Sequence, residues 1–265
     1  MRISVIIPTY NESGSIASLL EEIENVFDSQ PNHQWGIVVV DGGSPDGTPE
    51  IVRKKMATHK NIYLIEEGEK RGIAAAYLTG IRYVIDTLHA DAFMEFDGDG
   101  QHDPRDIPRL VKKLEEGFDY VIGSRYVKGG SAPEWAWKRK LLSRFGSLYT
   151  RWLLEWNVHD ATSGFKLTRA KRFVEPKQLL SRHYAYKIHL LSEMIDSGAR
   201  ITEVPITFRN REFNTSKSTS RDILESLKVT AILRLRSIHR WKLLRVVVLL
   251  ALCAVLVAYF VRWFR

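Results

Sequence analysis

The sequence contains a single cysteine, Cys253, which excludes an internal disulfide and fits a reducing compartment. No GxGxxG follows the first strand-like run and no GxxxxGK[ST] occurs anywhere, so neither a dinucleotide-binding turn nor a P-loop is indicated. Internal repeats and low-complexity tracts are also absent. The N-terminus MRISVIIPTY is not expected to be a signal peptide, because its apolar run covers only Ile3 to Ile7 before Pro8 ends it. Long hydrophobic runs are missing with one exception. Residues 243–261, LLRVVVLLALCAVLVAYFV, are apolar apart from Arg245, and Arg262 and Arg265 close the run. About 20 such residues span a bilayer as an α-helix. A buried core helix is the alternative, but a terminal helix with no polar stripe reads as transmembrane, and residues 242–263 are assigned to one spanning helix.

What remains is ordinary for a globular protein: 45% hydrophobic and 26% charged residues in a chain of 265, enough for one α/β domain and an appendage. The formal net charge of +8 is weighted towards the C-terminal third, which fits nucleic acid, a membrane surface or anionic substrates. Short β-branched runs alternate with helical patterns. Strands are expected at 3–8, 35–41, 61–67, 91–97 and 120–125, with helices at 13–27, from Thr48 as a cap with Pro49 in the first turn, at 72–86 and at 103–117. Such βα repeats with doubly apolar strands predict a mostly parallel sheet covered by helices. Ligands then sit beyond the carboxyl ends of the strands. Those ends carry PTYNE, DGGSPDGT, EEGEKRG, DGDGQHD and GSRY, so the polar chemistry gathers at the expected edge. The second half is less regular: a helical stretch rich in Trp, Lys and Arg (135–156), then DATSGF (160–165), a strand at 201–208 and a polar, mobile segment at 210–220.

EFDGDGQHDP crowds Asp97, Asp99 and Asp103 just after a strand, where like charges repel and call for a positive partner. A calcium EF-hand loop would want Gly where His102 stands and Glu where Pro108 stands. A loop that only caps the following helix accounts for Asp103 but not for Asp97 and Asp99. The third reading is a hard divalent cation, Mg²⁺ or Mn²⁺, held by few carboxylates and shared with phosphates. Asp41, ending the second strand, is either a turn residue or an acceptor for the N–H groups of a nucleobase.

VIIPTYNE, VVVDGGSPDGT, FDGDGQHDP, IGSRY, DATSGF and EVPITFRNREFNTSKST together resemble family 2 glycosyltransferases of the GT-A fold, and among them dolichyl- or polyprenyl-phosphate mannose synthases. The likeness runs over residues 3 to 220. It implies that Pro8, Tyr10, Glu12, Val39 and Asp41 hold the nucleoside. Asp97, Gly98, Asp99 and Gln101 would meet the donor diphosphate, with Asp97, Asp99 and Gln101 on the metal. Arg211 and Lys217 would close over the donor, while Arg125, Arg139 and Ser143 would receive the acceptor phosphate. Asp99, Arg125, Arg211 and Lys217 are thereby expected to act in catalysis. Two departures stand out: the usual acidic pair after the second strand is Asp41-Gly42, and the usual Asp-Ala-Asp is Asp97-Gly98-Asp99.

The activity so implied moves a hexose, mannose from GDP-mannose, onto a polyprenyl or dolichyl phosphate, with inversion by a single in-line displacement. A lipid phosphate is already ionised near neutral pH, since its second pKa is about 6, so it needs positioning more than a base. Asp160 is either a base or a turn residue. Residues 221–241 place Leu224, Leu227, Ala231, Leu235 and Ile238 at spacings of three and four, fitting a membrane surface or a core-facing helix. Arg234, Arg236, Arg240, Lys242 and Arg245 flank the N-terminal side of the apolar run and Arg262 and Arg265 follow it, which is expected to put the catalytic domain in the cytoplasm. The expected organisation is a catalytic domain (1–220), an interfacial segment (221–241) and a C-terminal anchor (242–263). A saccharide acceptor on the same fold remains open. A metal-dependent phosphohydrolase would need further strand-end ligands, and nucleic-acid binding would need basic residues interleaved with aromatics.

Overall fold

The computed structural model describes residues 1–135, 137–209 and 220–237. Arg211, Lys217, Ile238, Arg240, the polar segment 210–219 and the apolar run 243–261 lie outside the described residues. No helix among the described residues is long and apolar enough to cross a membrane.

The first half builds β1 (Arg2–Thr9), α1 (Ile16–Asp28), β2 (Gln34–Asp41), α2 (Thr48–Thr58), β3 (Ile62–Glu66), α3 (Ile73–Asp86), β4 (Ala92–Glu95), α4 (Ile107–Glu115) and β5 (Tyr120–Ser124). The second half adds α5 (Trp137–Leu154), β6 (Lys166–Arg169), α6 (Tyr186–Asp196), β7 (Ile201–Pro205) and α7 (Ser220–Ser237). All seven strands lie in one sheet in the order β3-β2-β1-β4-β6-β5-β7. Only β6 runs antiparallel to its neighbours. The α/β, mostly parallel sheet expected from the βα repeats is therefore present. β6 and α6 were not foreseen, and the strand expected to run to residue 208 stops at Pro205, followed by isolated bridges at Thr207 and Phe208.

The period-2 pattern of β1 explains the layering. Ile3, Val5 and Ile7 pack with α1, α2 and α4 on one face, while Ile6 packs with α3 and α6 on the other. A third cluster joins Tyr120 and Ile122 to Leu154 of α5, Ile188 and Leu191 of α6, and Val229 and Leu233 of α7. One face of α7 is thus part of the body, whereas Leu224 and Leu235 on the same helix are exposed. The N-cap of α2 is Gly47, one residue before the expected Thr48. The Thr48 hydroxyl instead donates to Asp46 (2.6 Å) and accepts from the Glu12 N–H (3.0 Å), tying the two loops at the sheet edge together.

Helix α3 crosses β1 and β2 at Gly80, where an added Cβ would lie 2.4 Å from Ile6 Cγ2 and 3.1 Å from Val40 Cγ2. Both neighbours are packed core side chains on strands, so the site cannot give easily. Gly80→Ala should lower stability by about 1–3 kcal/mol, read as a reduced denaturant midpoint at unchanged slope. An unchanged midpoint would mean that α3 does not pack this closely.

Candidate active site

Strand order reverses between β1 and β4, and the polar loops beyond their carboxyl ends frame two cavities. One, of about 590 Å³, is lined by Pro8, Tyr10, Glu12, Gly42, Lys70 and Gly98, among others. The other, of about 250 Å³, is lined by Gln101, Arg125, Arg139, Ser143 and Lys187, with apolar residues of α5 and α7. Asp97, Asp99, Tyr184 and Asp222 line both. Of the expected donor residues, Pro8, Tyr10 and Glu12 line the larger cavity and Gln101 the smaller, whereas Val39 and Asp41 line neither; the expected acceptor residues Arg125, Arg139 and Ser143 line the smaller one.

On the larger cavity, the Lys70 ammonium sits 4.2 Å from the centroid of the Tyr10 ring, a cation–π contact. Arg71 pairs with Glu67, which also accepts from the Thr79 hydroxyl (2.8 Å). Two expected nucleoside residues are differently employed. Val39 is fully buried in the core. Asp41 is also fully buried, and its carboxylate accepts from Thr9 Oγ1 (2.9 Å), Ser44 Oγ (2.6 Å) and the N–H groups of Gly43 (3.0 Å) and Ser44 (2.8 Å). Such a saturated carboxylate shapes its own turn, and it is Gly42 that lines the cavity.

The three crowded carboxylates separate. Asp103 caps the short 3₁₀ turn of Pro104–Asp106. It also pairs with Arg105 (2.7 Å) and with Arg209 (2.8 Å). Asp97 accepts from the Tyr77 hydroxyl (2.8 Å) and from the Lys187 ammonium, 3.1 Å from Oδ2 and 3.3 Å from Oδ1, with His102 Nε2 at 3.5 Å. Burial raises a carboxyl pKa, but Lys187, with His102 and Tyr77, outweighs it and holds Asp97 well below the usual range. Asp99 accepts from the Gln101 N–H (3.1 Å), and the Gln101 side chain donates to the Arg209 carbonyl (3.3 Å), keeping its amide oxygen as an acceptor. The oxygens of Asp97, Asp99 and Gln101 are the hard, few-ligand set that suits Mg²⁺ or Mn²⁺ completed by phosphates and water. No cluster of three or more His, Cys, Asp or Glu ligands occurs among the described residues. The donor set thus fits a cation shared with substrate rather than one caged by protein.

On the smaller cavity, Arg125 is held by Asp160 through Nε (2.7 Å) and Nη2 (2.6 Å), and Nη2 also donates to Thr162 (3.0 Å). Burial works against both charges, yet the pairing holds Asp160 below and Arg125 above its ordinary value. Asp160, which the sequence left as either a base or a turn residue, has both carboxylate oxygens on Arg125. The Tyr126 hydroxyl donates to Ser143 (2.5 Å), and the Arg139 guanidinium lies 4.0 Å from the Trp135 ring. DATSGF serves both cavities, because Gly164 leaves room for the Asp97–Lys187 pair: a Cβ there would sit 2.1 Å from Asp97 Oδ2 and 2.4 Å from Lys187 Nζ. The sequence reading missed Lys187, Tyr184 and Asp222, which no local motif marks. Asp160→Ala, leaving Arg125 uncompensated, should cost about 3–5 kcal/mol of stability by denaturant titration. Lost chemistry at unchanged stability would restore Asp160 as a base.

Residues 4–174 match glycosyl transferase family 2. The chain is 34% identical over 229 residues to the polyprenol monophosphomannose synthase of Mycolicibacterium smegmatis, covering 85% of this chain and 84% of the relative. It is 35% identical over 247 residues to the undecaprenyl-phosphate mannosyltransferase of Micrococcus luteus, covering 92% and 98%. Among solved structures, the glucosyl-3-phosphoglycerate synthase of Mycobacterium tuberculosis, in complex with Mn²⁺, UDP-glucose and phosphoglyceric acid, superposes with a TM-score of 0.63 at 20% identity, covering 90% of this chain and 81% of that one. At that identity the superposition speaks for the GT-A-like fold alone. Sequence match and fold agree, and the chain belongs to glycosyl transferase family 2.

Proposed function

We propose that this glycosyltransferase moves mannose from GDP-mannose onto the phosphate of a polyprenyl lipid, with inversion, at the cytoplasmic face of a membrane. The observation that carries this reading is the pair of cavities joined at Asp97 and Asp99, one of them presenting Arg125 and Arg139 and edged by the exposed apolar Leu142 and Ile223. The names of the two bacterial relatives support the lipid acceptor and the sugar. In the larger cavity Tyr10, Pro8, Glu12 and Gly98 would contact the nucleotide. A divalent ion on Asp99 and Gln101, beside Asp97, would supply Lewis-acid stabilisation to the departing diphosphate. Arg211 and Lys217 are assigned to the same diphosphate. Arg125, its Nε and Nη2 committed to Asp160, offers Nη1 to the acceptor phosphate, with Arg139 and Ser143 beside it.

The acceptor side has the surface that a lipid substrate requires. Along α5, Trp137, Leu141, Phe145, Leu148 and Trp152 recur at helical spacing and are exposed, Trp137 by 69% and Trp152 by 78%. Leu224 and Leu235 of α7 add to this apolar surface. Arg139, Arg144 and Arg151 interleave with it, the composition of an interfacial helix. We assign residues 1–220 to catalysis, 221–241 to the interface and 242–263 to a single-pass anchor, oriented by the basic residues before it.

The direct assay incubates membranes with several nucleotide sugars and polyprenyl phosphate and follows lipid-linked sugar. Transfer from GDP-mannose alone is the expected result, and transfer to a soluble saccharide instead would overturn the acceptor. Asp99→Ala should lower turnover by more than about 100-fold with the fold intact, and chelation should mimic it until Mg²⁺ or Mn²⁺ is returned. Near-normal turnover of folded Asp99→Ala would sink the metal assignment. Arg139→Ala should raise the KM for the lipid phosphate more than that for the donor. The opposite split would move Arg139 to the donor site.

A further inference from the structure

Both oxygens of Asp97 face the Lys187 ammonium, and Tyr77 adds a third hydrogen bond. The lysine side chain is only 2% exposed, so water screens this pair little. Nor can the lysine swing away easily. Its own carbonyl accepts from Lys166 Nζ (3.1 Å), its ammonium lies 5.4 Å from the Tyr184 ring centroid, and Gly164 closes over the pair so tightly that no Cβ fits. A divalent ion approaching the DGD motif therefore meets one carboxylate already matched by a fixed positive charge. Asp99 is the one that Lys187 does not touch.

We propose that Lys187 is a positioning residue that withholds Asp97 from the divalent ion, so that the cation binds appreciably only when a donor diphosphate supplies the missing negative charge. This rests on the reading of Asp97, Asp99 and Gln101 as the metal site. Metal and donor then enter as a unit, and the enzyme without donor carries little metal. Lys187 also lines the smaller cavity, so the same ammonium offsets the Asp97 charge on the floor shared by the two cavities. Removing a partner from a buried ion pair leaves an uncompensated charge. In a Lys187→Met chain that charge is the Asp97 carboxylate, and a divalent ion is the species able to match it.

The experiment measures Mn²⁺ binding by the full chain in detergent, from the electron paramagnetic resonance signal of free Mn²⁺, with and without GDP. Wild type should bind Mn²⁺ weakly alone and tightly with GDP. Lys187→Met should bind Mn²⁺ without GDP about 10-fold more tightly than wild type or better, the scale on which residues just outside a metal's ligands act. Added Mn²⁺ should also raise its melting temperature more than that of wild type. Lys187→Arg, which keeps the charge, should behave like wild type. Should Lys187→Met not fold, Lys187→Gln keeps a hydrogen bond to Asp97 without the charge and should show the same gain. If wild type takes up Mn²⁺ with GDP but neither uncharged variant gains affinity without it, the inference is overturned and the metal site stands. If wild type takes up no Mn²⁺ even with GDP, the metal site itself falls, and the inference with it.

Discussion

Three of the carboxylates at the carboxyl edge of this sheet are buried together because each meets a cation from elsewhere in the chain. Asp97 meets Lys187 of α6, Asp103 meets Arg209 beyond β7, and Asp160 meets Arg125 at the end of β5. Unpaired, such groups would each carry a desolvation cost of several kcal/mol. Paired, they fix side chains to within a hydrogen bond and make the site rigid before substrate arrives. Pairing of this kind is weak evidence for stability but strong evidence for geometry, since each partner has few ways to satisfy the other.

These pairs also divide the site. DATSGF contributes Asp160 to Arg125 and contributes Gly164, which has no side chain to clash, above Asp97 and Lys187. One short segment thereby sets the Arg125 guanidinium and the Asp97 carboxylate in register. The layer below is polar as well: Glu95 faces Lys166 across β4 and β6 and accepts from the Tyr186 hydroxyl. Burial lowers Lys166 to about 8, with Glu95 opposing that shift. A polar layer this deep behind a cleft fits a site whose floor must hold charges in place rather than exclude them.

The first half of the fold was legible because its strands are β-branched on both faces and its helices carry one apolar stripe, as in β1 and α1. β6 was not, since KLTR reads as a polar loop, and its buried lysine has its ammonium on the Lys187 carbonyl with Glu95 opposite it across the sheet. α6 was obscured in the same way, its apolar period interrupted by Lys187 and His189, both buried. Within the site, the motifs located Tyr10, Asp99, Arg125, Arg139 and Ser143 on the cavity walls. They could not show that Asp41 would be saturated by its own turn, nor that Asp97 would be met by a lysine 90 residues on. Local spacing reports which groups are near in sequence, whereas a carboxylate's partner is settled by tertiary packing.

The crowding of DGDGQHD called for a positive charge, and a metal ion was the simplest answer that a local reading could give. The fold supplies most of that charge from its own side chains, leaving room for a cation that completes the site without holding it together. On the proposed function, a site built in this way would let its ion leave with the product diphosphate, because the protein would lose little by it. A closed set of four or more protein ligands would retain the ion and resist that exchange. On the smaller cavity the same economy holds: Arg125 is fixed by Asp160, while Arg139 sits on a helix whose apolar stripe is open to solvent. Rigid charge is thus placed at the junction of the two cavities, and Arg139 beside a helix face open to solvent.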